Sequence, residues 1–169
     1  MVAATKKPAA KKPATKKSSP KAQDAIAMLR ADHAKVSGLF AQFETTRSSA
    51  KKMALVATIC TELSVHAQVE EEVFYPAVKA ALKDKRLIPE AVVEQATMKA
   101  LIGQIEGVAP DGEVYDARVK VLAEYVKHHV KEEHTEMFPR AKATRLDMAA
   151  LGAQMAQRKA ELMASKPIR

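Results

Sequence analysis

The sequence is poor in the residues that build small, cross-linked or tightly turned folds. It has a single cysteine, Cys60. An internal disulfide framework is therefore excluded, and the chain suits a reducing compartment, so a cytoplasmic protein is expected. Five glycines and no tryptophan argue against a structure made of many tight turns and for one made of helices. No apolar run reaches the ~18 residues of a membrane-spanning helix. The N-terminal stretch holds no apolar core of the kind that makes a secretory signal. What remains is a chain of 169 residues, 47% of them hydrophobic, enough for one buried core.

Charge of one sign is concentrated at one end. Lys6, Lys7, Lys11, Lys12, Lys16, Lys17 and Lys21 all precede the first acid, Asp24. They account for nearly all of the net charge of +8, because the rest of the chain sets 21 basic against 20 acidic side chains. Residues 1–22 are a near repeat of Lys-Lys-Pro-Ala. Lysine repulsion, proline and the lack of large apolar groups leave nothing to offset the entropy of ordering, so the segment is expected to be disordered. Its composition is similar to that of linker-histone-like tails. Non-specific nucleic acid is one expected partner, each neutralised phosphate adding ~0.9 to the salt slope of duplex binding. A solubilising extension and a contact with anionic membrane are the alternatives. With no aromatic residue interleaved to stack on bases, any such binding would ignore sequence.

From residue 23 to about residue 163 the pattern is that of a helical bundle. Asp24 is a good cap for a first helix to about Thr45, on which Ile26, Leu29, His33, Val36, Phe40 and Phe43 recur at spacings of three and four. A second helix is expected over about Ala50–Lys83, with Met53, Val56, Ile59, Leu63, His66 and Glu70 inward. Pro76 should kink it beyond these residues. A third opens near Pro89 and carries Ala91, Gln95, Met98, Ile102 and Ile105. Asp111 can cap a fourth, reaching about Phe138, with Val119, Leu122, Val126, His129 and Glu133 on one face. Asp147 can cap a short fifth with Leu151, Met155 and Leu162. The expected architecture is all-α, an antiparallel up-down-up-down four-helix bundle with a short C-terminal helix.

One motif occurs twice. His66-Ala-Gln-Val-Glu70 leads into Phe74-Tyr75-Pro76, and His129-Val-Lys-Glu-Glu133 leads into Phe138-Pro139. Residues i and i+4 share a helix face, so each copy aims one imidazole and one carboxylate inward. The repeat extends backwards: Asp32-His33 matches Glu94-Gln95, and Val36 and Phe40 match Met98 and Ile102. A lone histidine on an apolar stripe is more often a packed core residue than a ligand. Three of them, two with glutamates at i+4, point instead to a nitrogen-and-oxygen pocket for a transition metal. Glu71, Glu72 and Glu132 read as a solvated face, His134 as exposed, and His128 as a reserve ligand bordering the stripe. Cys60 and the methionines read as core.

With Ala31-Asp32-His33, Leu39-Phe40, His66 through Pro76 and His128-His129 through Pro139 in place, the chain resembles a hemerythrin-like domain of the HHE cation-binding type over about residues 24–160. The resemblance implies a four-helix bundle holding a non-haem di-iron centre. It implies that His33 and His66 bind one iron, that Glu70 and Glu133 bridge, and that His129 binds the other. Gln95 stands where the family pattern has a histidine, and Lys99 follows one turn later. Three arrangements are open at this second iron: a Gln95 oxygen or water as ligand, Tyr125 as phenolate, or occupancy of the His33–His66 site alone. The implied functions are binding or sensing of O2, NO or iron, or peroxide and NO detoxification by an enzyme at the same centre.

Overall fold

A computed structural model describes residues 23–83, 86–110 and 112–165. The lysine-rich segment expected to be disordered lies outside them. Among the described residues every regular element is helical: α1 Ala25–Thr45, α2 Ser49–Val69, α3 Tyr75–Ala81, α4 Leu87–Gly103, α5 Glu113–Glu132, α6 Phe138–Lys142 and α7 Met148–Ser165. Two π turns, Glu70–Phe74 and Glu133–Met137, join α2 to α3 and α5 to α6. The second and fourth rods of the bundle are therefore each one helix with a widened turn near the end.

Helix starts follow local chemistry. The Asp24 carboxylate accepts from the Ala27 amide at 2.9 Å, and Asp147 accepts from Ala149 and Ala150. Each satisfies amides that a helix start leaves without partners. Asp111, expected to cap α5, lies outside the described residues; α5 is preceded by Gly112 at φ 92°, a backbone state that glycine adopts without strain.

The inward stripes are buried as their spacing requires, apart from Met53, which sits near the start of α2 and is 47% exposed. The core falls into two apolar clusters. One contains Ile26, Leu29, Phe74, Phe138 and Met155. The other contains Phe40, Ile59, Ile102, Tyr115 and Leu122. Between them, on the same stripes, lie His33, His66, Glu70, Gln95, His129 and Glu133, all buried. The polar layer is thus walled by hydrocarbon along the bundle axis.

The fifth helix is not short. At 18 residues α7 is one longer than α4, and it packs along α1 and α2. Its seat is close: a Cβ on Gly152 would come within 2.2 Å of the Gln23 carbonyl oxygen and 2.7 Å of the Ala25 nitrogen. No helix among the described residues is long and apolar enough to cross a membrane.

Candidate metal centre

The two π turns shape the centre. Pro76 and Pro139 have no N–H to give to the preceding turn, so the ladder must be rearranged ahead of them. The Tyr75 amide bonds to Glu70 O and the Phe138 amide to Glu133 O, each five residues back. The disturbance begins at the glutamates themselves, not beyond them as a simple proline kink predicts. One extra residue in the turn swings the side chain five places after each glutamate back over it. In the first copy that side chain is Tyr75. In the second it is Phe138, whose ring stacks on His33 with centroids 6.0 Å apart and planes within 5°.

Donor atoms of His33, His66, Glu70 and Glu133 all lie within 4.8 Å of one another, and a sparser second group forms around His129. In the first, His33 Nε2 lies 3.1 Å from His66 Nε2 and 3.3 Å from Glu133 Oε2. His66 Nε2 is 3.3 Å from Glu70 Oε2. Atoms bound to one ion at ~2.1 Å stand ~3.0–3.4 Å apart, so this spacing is that of a coordination shell. In the second, His129 Nε2 is 3.7 Å from Glu133 Oε1 and 3.4 Å from the Tyr75 hydroxyl oxygen. Glu70 and Glu133 lie between the two. Gln95 reaches the second half-site: its Nε2 donates to Glu70 Oε2 and, at 3.0 Å, to Tyr75.

Three oxygens here are buried without a hydrogen-bond partner: Glu70 Oε1, Gln95 Oε1 and Glu133 Oε2. All three are acceptors only. Burial of such atoms without a donor is costly unless something positive meets them. The residues present therefore fit a metal cation by their own chemistry.

Two of the histidines have a carboxylate behind them. Asp32 Oδ2 is 3.5 Å from His66 Nδ1, and its other oxygen takes the Lys159 ammonium from α7. Glu94 Oε2 accepts from His129 Nδ1 at 2.7 Å. Such partners fix ring orientation and tautomer. Burial disfavours a proton on His66, but Glu70, Asp32 and Glu133 outweigh it and push the imidazole up to about 10. Burial likewise opposes charge on Glu70, and His66, His129 and His33 overcome it, drawing the carboxyl down to about 2. His129 is raised in the same way, its burial outweighed by Glu133, Glu70 and Glu94. Burial and the two glutamates lift Tyr75 well above the ordinary phenol range, so its hydroxyl is a donor to Glu133 at 3.0 Å.

The hemerythrin HHE cation-binding domain family matches residues 24–141. The chain belongs to that family. It is 33% identical over 111 residues to a DNA nickase of Nostoc sp., a match covering 66% of this chain and 31% of that protein. The chain thus spans under a third of that relative's length. Its fold is similar to the crystal structure of a hemerythrin HHE cation-binding domain-containing protein from Mycobacterium kansasii, with a TM-score of 0.73 at 24% identity over 85% of this chain and 89% of the other.

Within this hemerythrin-like domain some expected residues lie elsewhere. Tyr125 is 45% exposed, one place off the buried Leu122–Val126–His129 line, and cannot serve the second half-site. Lys99 turns outward and binds both oxygens of Glu71 at 2.7 and 2.6 Å. His128 points away from the buried layer, toward Glu94 and Glu132. His134 is half-buried, not exposed, with Nε2 2.9 Å from His33 Nδ1. Tyr75 and Glu94 were the residues sequence reasoning missed. Aligning the motif copies finds both: Tyr75 matches Phe138, and Glu94 matches Asp32.

Proposed function

We propose that the chain is a cytosolic non-haem iron protein with a di-iron centre, binding or sensing O2, NO or peroxide. The observation that carries this reading is the convergence of His33, His66, Glu70 and Glu133, whose donor atoms lie within 4.8 Å of one another, with Glu70 Oε1 and Gln95 Oε1 buried beside them without a hydrogen-bond donor. His33 and His66 would hold one iron, His129 the other, and Glu70 and Glu133 would bridge. Gln95 Oε1 and the Tyr75 hydroxyl are the neighbouring oxygens that would complete the His129 side in place of an imidazole. Bound iron would supply a redox-active Lewis acid that takes up O2, NO or peroxide.

This chain's own residues do the rest. Asp32 and Glu94 hold the histidine rings in register. Val36, Leu63, Met98 and Ile102 line a cleft that opens on His33, His66 and Gln95. An apolar approach of that kind favours small, weakly hydrated diatomic ligands over ions. Tyr75 O–H lies within hydrogen-bond distance of both glutamates, 3.2 Å from Glu70 Oε2 and 3.0 Å from Glu133 Oε1. Peroxide or NO turnover at the same centre is the enzyme form of the same reading.

Anaerobic loading with ferrous iron, dialysis, and exposure to air, NO or peroxide tests the proposal. About two irons per chain, or one tight and one weak, with a visible absorption change on exposure, is expected. A protein that stays colourless and retains no iron overturns it. Repeated cycles of peroxide or NO consumption separate an enzyme from a binding protein.

A second reading has its own support. Seven lysines precede Asp24, and the Nostoc relative is named a DNA nickase. The tail would bring the iron domain to nucleic acid. Gel shifts at rising salt, with and without residues 1–22, decide it: binding that survives the truncation removes the idea.

A further inference from the structure

A second group of metal-ligating side chains lies outside the buried layer. His128 Nε2 stands between two carboxylates, 3.4 Å from Glu94 Oε1 and 3.2 Å from Glu132 Oε1. The three donor atoms all lie within 4.8 Å of one another. The two separations from His128 are in the range of atoms sharing one ion at ~2.1 Å.

The internal repeat gives the site a point of comparison. Asp32 and Glu94 hold matching positions, and each gives one oxygen to a buried histidine. The second oxygen of Asp32 is met by the Lys159 ammonium. The second oxygen of Glu94 is met by an imidazole, and a further carboxylate, Glu132, closes on the same point. Glu90, one turn before Glu94, lines a pocket together with Glu94 and Glu132, and that pocket reaches in to His129 and Glu133. The first half thus carries a fixed cation where the second half carries a set of nitrogen and oxygen ligands.

We propose that Glu94, His128 and Glu132 form an outer site for a divalent transition-metal cation, with Glu94 shared between that ion and His129. The mixed donor set selects the cation: an imidazole favours zinc, iron or copper over magnesium and calcium, which prefer oxygen alone. The site stands at the surface end of the pocket leading to the second half-site. Its existence does not depend on what the buried centre binds.

Zn2+ titrated calorimetrically into the metal-free full chain, with elemental analysis after dialysis, tests this. The wild type should take one equivalent more than a His128→Ala, Glu132→Gln double variant, whose circular dichroism should be unchanged because His128 is exposed, Glu132 is half-buried and neither belongs to the apolar core. That equivalent should persist in His66→Ala, where the tight phase is lost, so failure of the buried centre and failure of the outer site give different traces. Equal stoichiometry in the wild type and the double variant overturns the site. So does loss of the same equivalent in Glu113→Gln, an exposed acid at the far end of α5, or its displacement by about tenfold excess Mg2+, since either marks a diffuse acidic surface.

Discussion

The Tyr75 hydroxyl accepts a hydrogen bond from Gln95 Nε2 at 3.0 Å. Each departs from its own counterpart in the repeat: Gln95 matches His33, and Tyr75 matches Phe138, whose ring stacks on His33. A short polar amide has replaced an imidazole, and a phenol has replaced a bare ring. Gln95→His should strengthen the second metal site, raising retention from about one towards about two irons per chain on elemental analysis. Tyr75→Phe should weaken it. It should also cost the metal-free fold about 1–3 kcal/mol in denaturant unfolding, since Glu133 loses a buried donor. Unchanged iron content in both variants would show that neither side chain faces the metal.

The buried ion pairs fix the pH response of the metal-free protein. His66 is held up to about 10 against an ordinary value of 6.5, so its contribution to stability is complete below about 6.5 and lost as pH rises through about 10. Glu70 is drawn down to about 2 from 4.5, so its contribution is present above about 4.5 and lost as pH falls towards 2. The melting temperature should therefore peak between about pH 4.5 and 6.5. Loading metal at neutral pH must expel the His66 proton, so affinity should climb with pH and titrations in two buffers should reveal proton release. A buffer-independent heat would contradict this.

Lys159 touches no donor atom of the centre, yet it holds the carboxylate behind His66. Lys159→Met should loosen metal at the His33–His66 half-site by about tenfold or more while leaving the other half-site alone. Equal loss at both, read by competition with a chelator, would mean that α7 acts only through general stability.

Gly152 packs against backbone that cannot retreat, with Gln23 O only 2.2 Å from where an alanine Cβ would sit. Gly152→Ala should destabilise the domain by about 1–3 kcal/mol through overpacking. A denaturation midpoint equal to that of the wild type would show that α7 is not seated where described.

The bundle was legible because its apolar residues recur at three and four over long, well-punctuated stretches. His33, His66, Glu70, Gln95, His129 and Glu133 lay on those stripes and could be read from position alone. Tyr75 and His134 could not. In a regular helix a residue five places after Glu70, or after His129, points elsewhere, and only the π turn brings the phenol back to the layer. Met53 failed for the opposite reason, since the stripe runs past the end of the core. Asp32 and Glu94 are adjacent in sequence to inward positions, and nothing in periodicity marks a side chain that reaches sideways to a neighbouring helix. The length of α7 was hidden by its weaker stripe.

The two acidic side chains of the centre hang from turns whose amides bond five residues back. Such turns have slack that a tightly wound rod lacks. A charge settling between Glu70 and Glu133 can be met by a small twist confined to those two turns, while the hydrocarbon on either side stays put. By hydrogen exchange, their amides should be the earliest in the buried layer to take up deuterium in the metal-free protein and should gain protection on metal loading.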